Sequence, residues 1–278
     1  MKYSKDTIRI GTCSWNYSSW KGLVYSELKN TAAEYLVEYS KKYNTVEIDS
    51  WFYKIPDIHE VDSYVQAVDS DFKFSIKAPQ KITQIMEYGK KERNKSFLSI
   101  DLYEQFYKRV EQIKNNVSAI MFEFEYMNKE KMSGQNEFID KLTIFIDSIP
   151  RGINIGIECR NKNYLNKPFY QFLKENDLNV VLSEKIYMPS ISDLIDQYSD
   201  LFSDLIIVRL LGGDRKEIEK KTSGQWDQIV EKKDIQTIGM KLGYLVNIGK
   251  HVTINVNNHY EGSAPLTIAR LINEFQII

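Results

Sequence analysis

The chain has 278 residues, 42% hydrophobic and 27% charged, with 37 Lys and Arg against 38 Asp and Glu and a formal charge of -1. That apolar content supports one large core or two modest ones, and the charge balance excludes a chain that binds nucleic acid through overall basicity. No run approaches the roughly 20 apolar residues of a membrane span, and the polar opening MKYSKDTIRI lacks a secretory hydrophobic region. The expectation is a cytoplasmic protein with no membrane partner.

In chain order, short β-rich runs predict strands at Ile8–Cys13, Thr45–Ser50, Phe72–Ala78, Ala119–Phe124, Asn154–Arg160, Asn179–Glu184, Leu205–Leu211 and Val252–Asn257. Helical stripes fall between them. The first holds Tyr35, Leu36, Tyr39 and Tyr43 behind a capping box, Thr31-x-x-Glu34. Further stripes are Leu102, Phe106, Val110 and Ile113; Phe138, Leu142, Phe145, Ile146 and Ile149; and Ile268, Leu271, Ile272 and Phe275. Ile191–Phe202 predicts a weak helix, and Gly212–Lys221 a polar loop before a long segment, Trp226–Ile248. No repeat or linker divides the chain, so one domain over 1–278 is expected. Alternating strands and helices, eight units in 278 residues, predict an α/β fold, a single (β/α)8 TIM-barrel-like domain. An open doubly wound sheet is the alternative, but no G-x-G-x-x-G or Walker fingerprint supports it, and nothing calls for a cofactor.

Strand parity then locates the polar residues, because alternate side chains point to opposite faces. Val46 and Ile48 oppose Thr45, Glu47 and Asp49; Phe74 and Ile76 oppose Ser75 and Lys77; Phe122 and Phe124 oppose Glu123 and Glu125; Ile157 opposes Glu158 and Arg160. Arg209 shares a face with Ile207 and Leu211, and Asn257 with Asn255, while NVVLSE at 179–184 leaves its parity open. The charged set gathers toward strand C-termini, where barrel enzymes build their sites. It is expected either to form a ligand site or to pair internally as a structural network.

The segments GTCSWNYSSWKG at 11–22, YNTVEIDSWFYKIP at 43–56, FKFSIKAPQKIT at 72–83, IECR at 157–160, IVRLLGG at 207–213 and VNNHYEGSAPLTIARL at 256–271 resemble the YecE-like family, domain-of-unknown-function family 72. The resemblance runs over essentially the whole chain. It implies a TIM-barrel-like fold and no established activity, and it carries over to Trp15, Glu47, Phe52, Tyr53, Lys77, Glu158, Arg160, Arg209, Asn257 and Asn258. Asp49 stands where the family more often has Asn. Gln84 and Leu211 stand where it usually has His, and MFEFEYMN at 121–128 replaces its Q-x-P-P.

Glu47 and Glu158, from opposite parts of an eight-stranded ring, can divide acid and base roles. Lys77 can serve as a nucleophilic amine if its pKa falls, or hold ligand charge if a nearby acid keeps it protonated. Arg160, Arg209 and Asp49 supply charge, Asn257 and Asn258 orient a ligand, and Trp15 and Tyr53 offer stacking faces. The Gly212-Gly213 loop and the Gly262-Ser263-Ala264 helix entry suit phosphate, although both are also ordinary turn chemistry. Three histidines, His59, His251 and His259, form no metal-ligand pattern, so no metal site is assigned. Two cysteines, Cys13 and Cys159, build no disulfide framework, and Cys13 has no His partner, so it is read as a structural thiol. The expected partner is a small ligand, sugar-like or phosphorylated, in a charged pocket with acid/base capacity. The competing reading is a non-catalytic binding protein for nucleic acid.

Overall fold

The computed structural model describes residues 7–87 and 89–275. Six residues of the polar opening, 1–6, lie outside that range. Eight parallel strands close into a barrel in sequence order: β1 (Ile8–Cys13), β2 (Thr45–Ile48), β3 (Lys73–Lys77), β4 (Val117–Phe124), β5 (Ile155–Cys159), β6 (Asn179–Lys185), β7 (Leu205–Gly212) and β8 (His251–Val256). Pairing of β8 with β1, Ile8 opposite Val252, completes the ring. The open-sheet alternative is therefore overturned, since a closed ring leaves no sheet edge.

Helices α1 (Ala32–Tyr39), α2 (Ile58–Gln66), α3 (Gln80–Thr83), α4 (Ile100–Val110), α5 (Gln135–Ser148), α6 (Lys167–Glu175), α7 (Ile191–Tyr198), α8 (Arg215–Thr222), α9 (Ile235–Asn247) and α10 (Ala264–Phe275) occupy the connections. The Thr31 hydroxyl accepts the Glu34 amide at 3.2 Å, as a capping box requires, but the Glu34 carboxylate accepts from Asn30, one residue beyond the cap. Two expectations needed correction. Gly212–Lys221 is not a loop: Asp214 caps α8, whose only buried side chains are Ile218 and Thr222, so its apolar stripe was too thin to read. The segment after Trp226 turns helical only at Ile235, because the amides of Val230 and Glu231 bond instead to the Glu261 carbonyl.

The strands sort their side chains as parity demands. Val46, Ile48, Phe74, Ile76, Phe122 and Val208 are among those packed outward into the helix layer. Inside lies a small separate cluster, Ala119, Met121, Val181 and Ile207, which also resolves β6: Val181 and Ser183 face inward. Gly156 makes that plug possible, since a Cβ there would lie 2.9 Å from Val181 Cγ2 and 3.0 Å from Ile207 Cδ1. Two residues further along β5 and β7 the interior becomes charged.

Candidate functional site

Arg209, two residues beyond Ile207 on β7, is the centre of the barrel mouth. Its Nε and Nη2 donate to the two Glu47 oxygens at 2.8 and 2.6 Å, and its Nη1 donates to Glu123 at 2.7 Å and Glu158 at 2.5 Å. A planar fork of donors is suited to this, and a lysine in its place would satisfy far less. Two further cations complete the network. Lys77 lies 3.0 Å from Glu123 and 3.3 Å from Asp49, with its ammonium 3.7 Å from the Phe52 ring centroid. Arg160 reaches Glu158 through Nε at 3.1 Å and Glu123 through Nη2 at 2.9 Å. Three cations thus meet four carboxylates.

The sequence therefore assembled Glu47, Asp49, Lys77, Glu158, Arg160 and Arg209 correctly, with Glu123 as their shared acid. It did not foresee how tightly they close on one another. Glu47 is 0% and Glu158 1% exposed. The space between these carboxylates is filled by the Arg209 guanidinium, where a substrate bond would have to lie for them to act as an acid/base pair.

Electrostatics divides the acids. Burial opposes ionisation of Glu123, but Lys77, Arg209 and Arg160 outweigh it and hold that carboxyl well below the usual range. Glu158 is also lowered: burial opposes ionisation there too, and Arg209 and Arg160 prevail. Glu47 moves the other way, lifted by burial to about 7 against the pull of Arg209, with Asp49 adding to the rise. Burial would lower Lys77, but Glu123 leads the acids that keep it above the ordinary lysine value. The acids around Lys77 thus favour its charged form over a neutral, nucleophilic amine. Burial and the Glu47 charge raise the Cys13 thiol far above its normal value, which suits a structural thiol.

Four other candidates fall outside this cluster. Trp15 is 3% exposed, packs edge-on against Tyr64 at 5.0 Å and donates its indole N–H to the Ala32 carbonyl, so its ring is core rather than a stacking wall. Tyr53 is 76% exposed on the loop after β2. Asn257 turns to the rim, where its Oδ1 lies 2.6 Å from His259 Nδ1, and His259 Nε2 lies 3.1 Å from Glu219 on α8. Asn258 is buried, its Oδ1 accepting the Ala264 amide at 2.9 Å.

That last bond also closes the expected phosphate entry at α10. Ser263 and Glu261 are buried there, and the Glu261 carboxylate already takes the Lys233 amide, the Thr267 hydroxyl and Arg270. The Gly212-Gly213 loop opens on a cavity of about 730 Å³, but acids line it, including Glu184, Asp193, Asp214, Glu217, Glu231 and Asp234. The helix starts around it are self-capped. Ser190 accepts from Asp193, Asp214 from Lys216 and Glu217, and Asp234 from Thr237, while Glu184 accepts from Ile191.

A second opening adjoins the first across Lys185, Ile186, Tyr187 and Met188, which line both. About 330 Å³ in volume, it adds Arg160, Lys162 and Tyr126, and among the described residues no carboxylate lines its wall. Lys185 continues β6 past Glu184 and stands opposite Gly212, because the register shift there puts the extra residue, Leu211, on β7. Burial lowers its pKa and Arg160 pushes the same way. Among the described residues no acid forms an ion pair with it. Sequence reasoning missed Lys185, Lys162, Tyr126 and Tyr187. The one available signal was that Lys185 shares parity with Ser183, a parity the run NVVLSE left open.

The opposite, N-terminal end of the barrel holds a cavity of about 440 Å³ lined in part by Arg9 and Lys73, and backbone carbonyls of Asp71 and Asn115 accept from those two. Among the described residues no group of three or more His, Cys, Asp and Glu side chains is placed to hold a metal ion. Nor is any described helix long and apolar enough to cross a membrane.

Fold and mouth together define a protein of the (β/α)8 barrel class with its charged residues at the strand C-termini. The chain belongs to the family described as protein of unknown function DUF72, which matches residues 9–277. Among solved structures it is similar to a DUF72 family protein of Enterococcus faecalis, at 20% identity over 98% of this chain and 96% of that one, with a TM-score of 0.72. A DUF72 family protein of Thermotoga maritima is similar at 18% identity over 97% and 99%, with a TM-score of 0.73. At these identities the likeness concerns the fold. No curated protein matches the sequence.

Proposed function

We propose that the protein binds a small anionic ligand at the mouth of its barrel, in the cavity beside Arg160. The observation that carries this reading is the acid-free wall: Arg160, Lys162 and Lys185 converge on about 330 Å³, within the size range of small-molecule sites. Arg160 spends its Nε and Nη2 on Glu158 and Glu123. Among the described residues Nη1 has no hydrogen-bond partner, and the network beneath fixes its direction. The buried network is then the rigid support of a ligand site rather than the site itself.

Titration with ribose 5-phosphate by calorimetry tests the reading. Binding should weaken about tenfold or more in Arg160→Ala and in Lys185→Ala, the loss expected for one charged hydrogen bond; the melting temperature should hold in Lys185→Ala and fall in Arg160→Ala, which strips a partner from the buried Glu158 and Glu123. Unaltered affinity in both variants would put the ligand elsewhere. Steeply salt-dependent binding of oligonucleotides, with no response to ribose 5-phosphate, would instead favour the nucleic-acid reading.

A second reading, acid/base chemistry on the bound ligand, is favoured by Glu47, whose pKa of about 7 suits proton transfer near neutrality. It requires Arg209 to release Glu47 and open a path to it. An activity lost in Glu47→Gln while ligand affinity persists would support it.

A further inference from the structure

The walls of the Arg160 cavity carry more than charge. Tyr126 follows β4 and is 65% exposed, and Tyr187 follows β6 and is 85% exposed, yet both line the same opening. Each ring stands on a fixed support. The loop after Tyr126 is pinned beside Arg160 by the Asn161 side chain, which accepts the Met127 amide at 2.7 Å and donates to the Met127 carbonyl at 2.8 Å. Tyr187 sits in a turn closed by the Met188 amide on the Lys185 carbonyl, and its φ is +69°. A bulky residue is rarely found there, and such backbone strain concentrates where a ligand is held. Lys185 at the end of β6 and the strained Tyr187 therefore fall within three residues, one presenting an ammonium and the other a ring. Ile186 and Met188 add an apolar surface on the same segment.

From this juxtaposition we infer that the ligand is a flat heteroaromatic ring carrying a phosphate, its ring held against Tyr126 and Tyr187 and its phosphate against Arg160 and Lys185. The inference rests on the anionic reading of the same cavity and narrows it. An inorganic anion or a sugar phosphate would use the cations and leave both rings idle, whereas ring stacking on an exposed tyrosine favours any flat base.

Three probes separate the parts: adenosine 5′-monophosphate, ribose 5-phosphate and adenosine, each titrated by calorimetry into the full chain. The monophosphate should bind at least tenfold tighter than either fragment. Tyr126→Ala with Tyr187→Ala should erase that advantage while leaving ribose 5-phosphate affinity unchanged, and Phe at both positions should restore it. Because both rings are exposed, the melting temperature should hold in every variant. Equal affinity for the monophosphate and ribose 5-phosphate would overturn this inference and leave the anionic reading standing. Failure of both phosphates to bind would overturn the two together. An oligo-dA of twelve residues that bound more than tenfold tighter than the monophosphate would overturn the small-molecule class in favour of a single strand.

Discussion

Two cavities flank β6 at the same end of the barrel, sharing Lys185, Ile186, Tyr187 and Met188 but differing in the rest of their lining, which is six acids beside Lys233 in one and Arg160 with Lys162 in the other. On the α7–α9 side, glycine turns and three helix starts converge, which is the setting in which barrels often take phosphate. Here the protein's own side chains, Ser190, Asp214 and Asp234, occupy those amides, and further acids line the walls. On the β4–β5 side three basic side chains gather with no acid among the described lining residues. The comparison teaches that a helix N-terminus attracts an anion only while its amides are unspent. What decides polarity at this mouth is where the charge is left uncancelled. Lys185 forms no ion pair among the described residues, and Arg160, although paired with Glu158 and Glu123 through Nε and Nη2, has Nη1 left over.

The largest effect should come from removing the support under the basic cavity. Arg209→Met leaves Glu47, Glu123 and Glu158 buried without their shared partner, so urea denaturation should register a loss of about 3–5 kcal/mol. A loss below about 1 kcal/mol would mean that the network contributes nothing to holding the mouth, and the contrast between the two sides would need another basis.

The next effect concerns pH. Glu47 has a folded pKa near 7 against an ordinary value of 4.5, so between these the folded state holds more proton than the unfolded one and stability falls as pH rises. Glu123 and Glu158 are lowered, so their contribution is present above the unfolded value and is lost as pH falls through their folded values. His259 is lowered, chiefly by burial, and opposes the Glu47 slope up to its ordinary value of 6.5. The informative quantity is therefore the difference between wild type and Glu47→Gln. Wild type should lose stability more steeply between pH 5 and 7, by at most about 1.4 kcal/mol per pH unit. Parallel curves would show Glu47 ionised throughout.

The smallest effect belongs to the acidic side. Ser190→Ala removes the cap of α7 and should cost about 1 kcal/mol by thermal or chemical denaturation, with no change in affinity for ribose 5-phosphate. An affinity gain in that variant would show that the α7 start competes for anions after all.

Most of the barrel was legible because its strands obey the period of two without interruption. Phe74 and Ile76 against Ser75 and Lys77 already assign inside and outside, and the seven charged residues of the network follow from the same alternation. Legibility failed where local rules were overridden by distant partners. Trp15 reads as a stacking face for a ligand, but Tyr64 and the Ala32 carbonyl enclose it. Asn258 reads as a ligand residue, but its amide oxygen is consumed by the first turn of α10. The basic cavity was invisible for a different reason. Lys185 reaches it by continuing β6 with the parity of Ser183, which the run NVVLSE leaves open, and Tyr126 and Tyr187 lie on loops where exposure cannot be read from period.

The Arg209 hub also has a kinetic consequence. Its partners lie 51, 86 and 162 residues earlier in the chain, so Glu47 has no guanidinium to close on, and Glu158 and Glu123 have only that of Arg160, until β7 has been synthesised and docked. Until then the acids favour water over the barrel axis, and premature closure of the first six strands is penalised. Ordering of the mouth is thus tied to completion of the ring, which makes long-range closure the slow, all-or-none event expected of a fold rich in distant contacts.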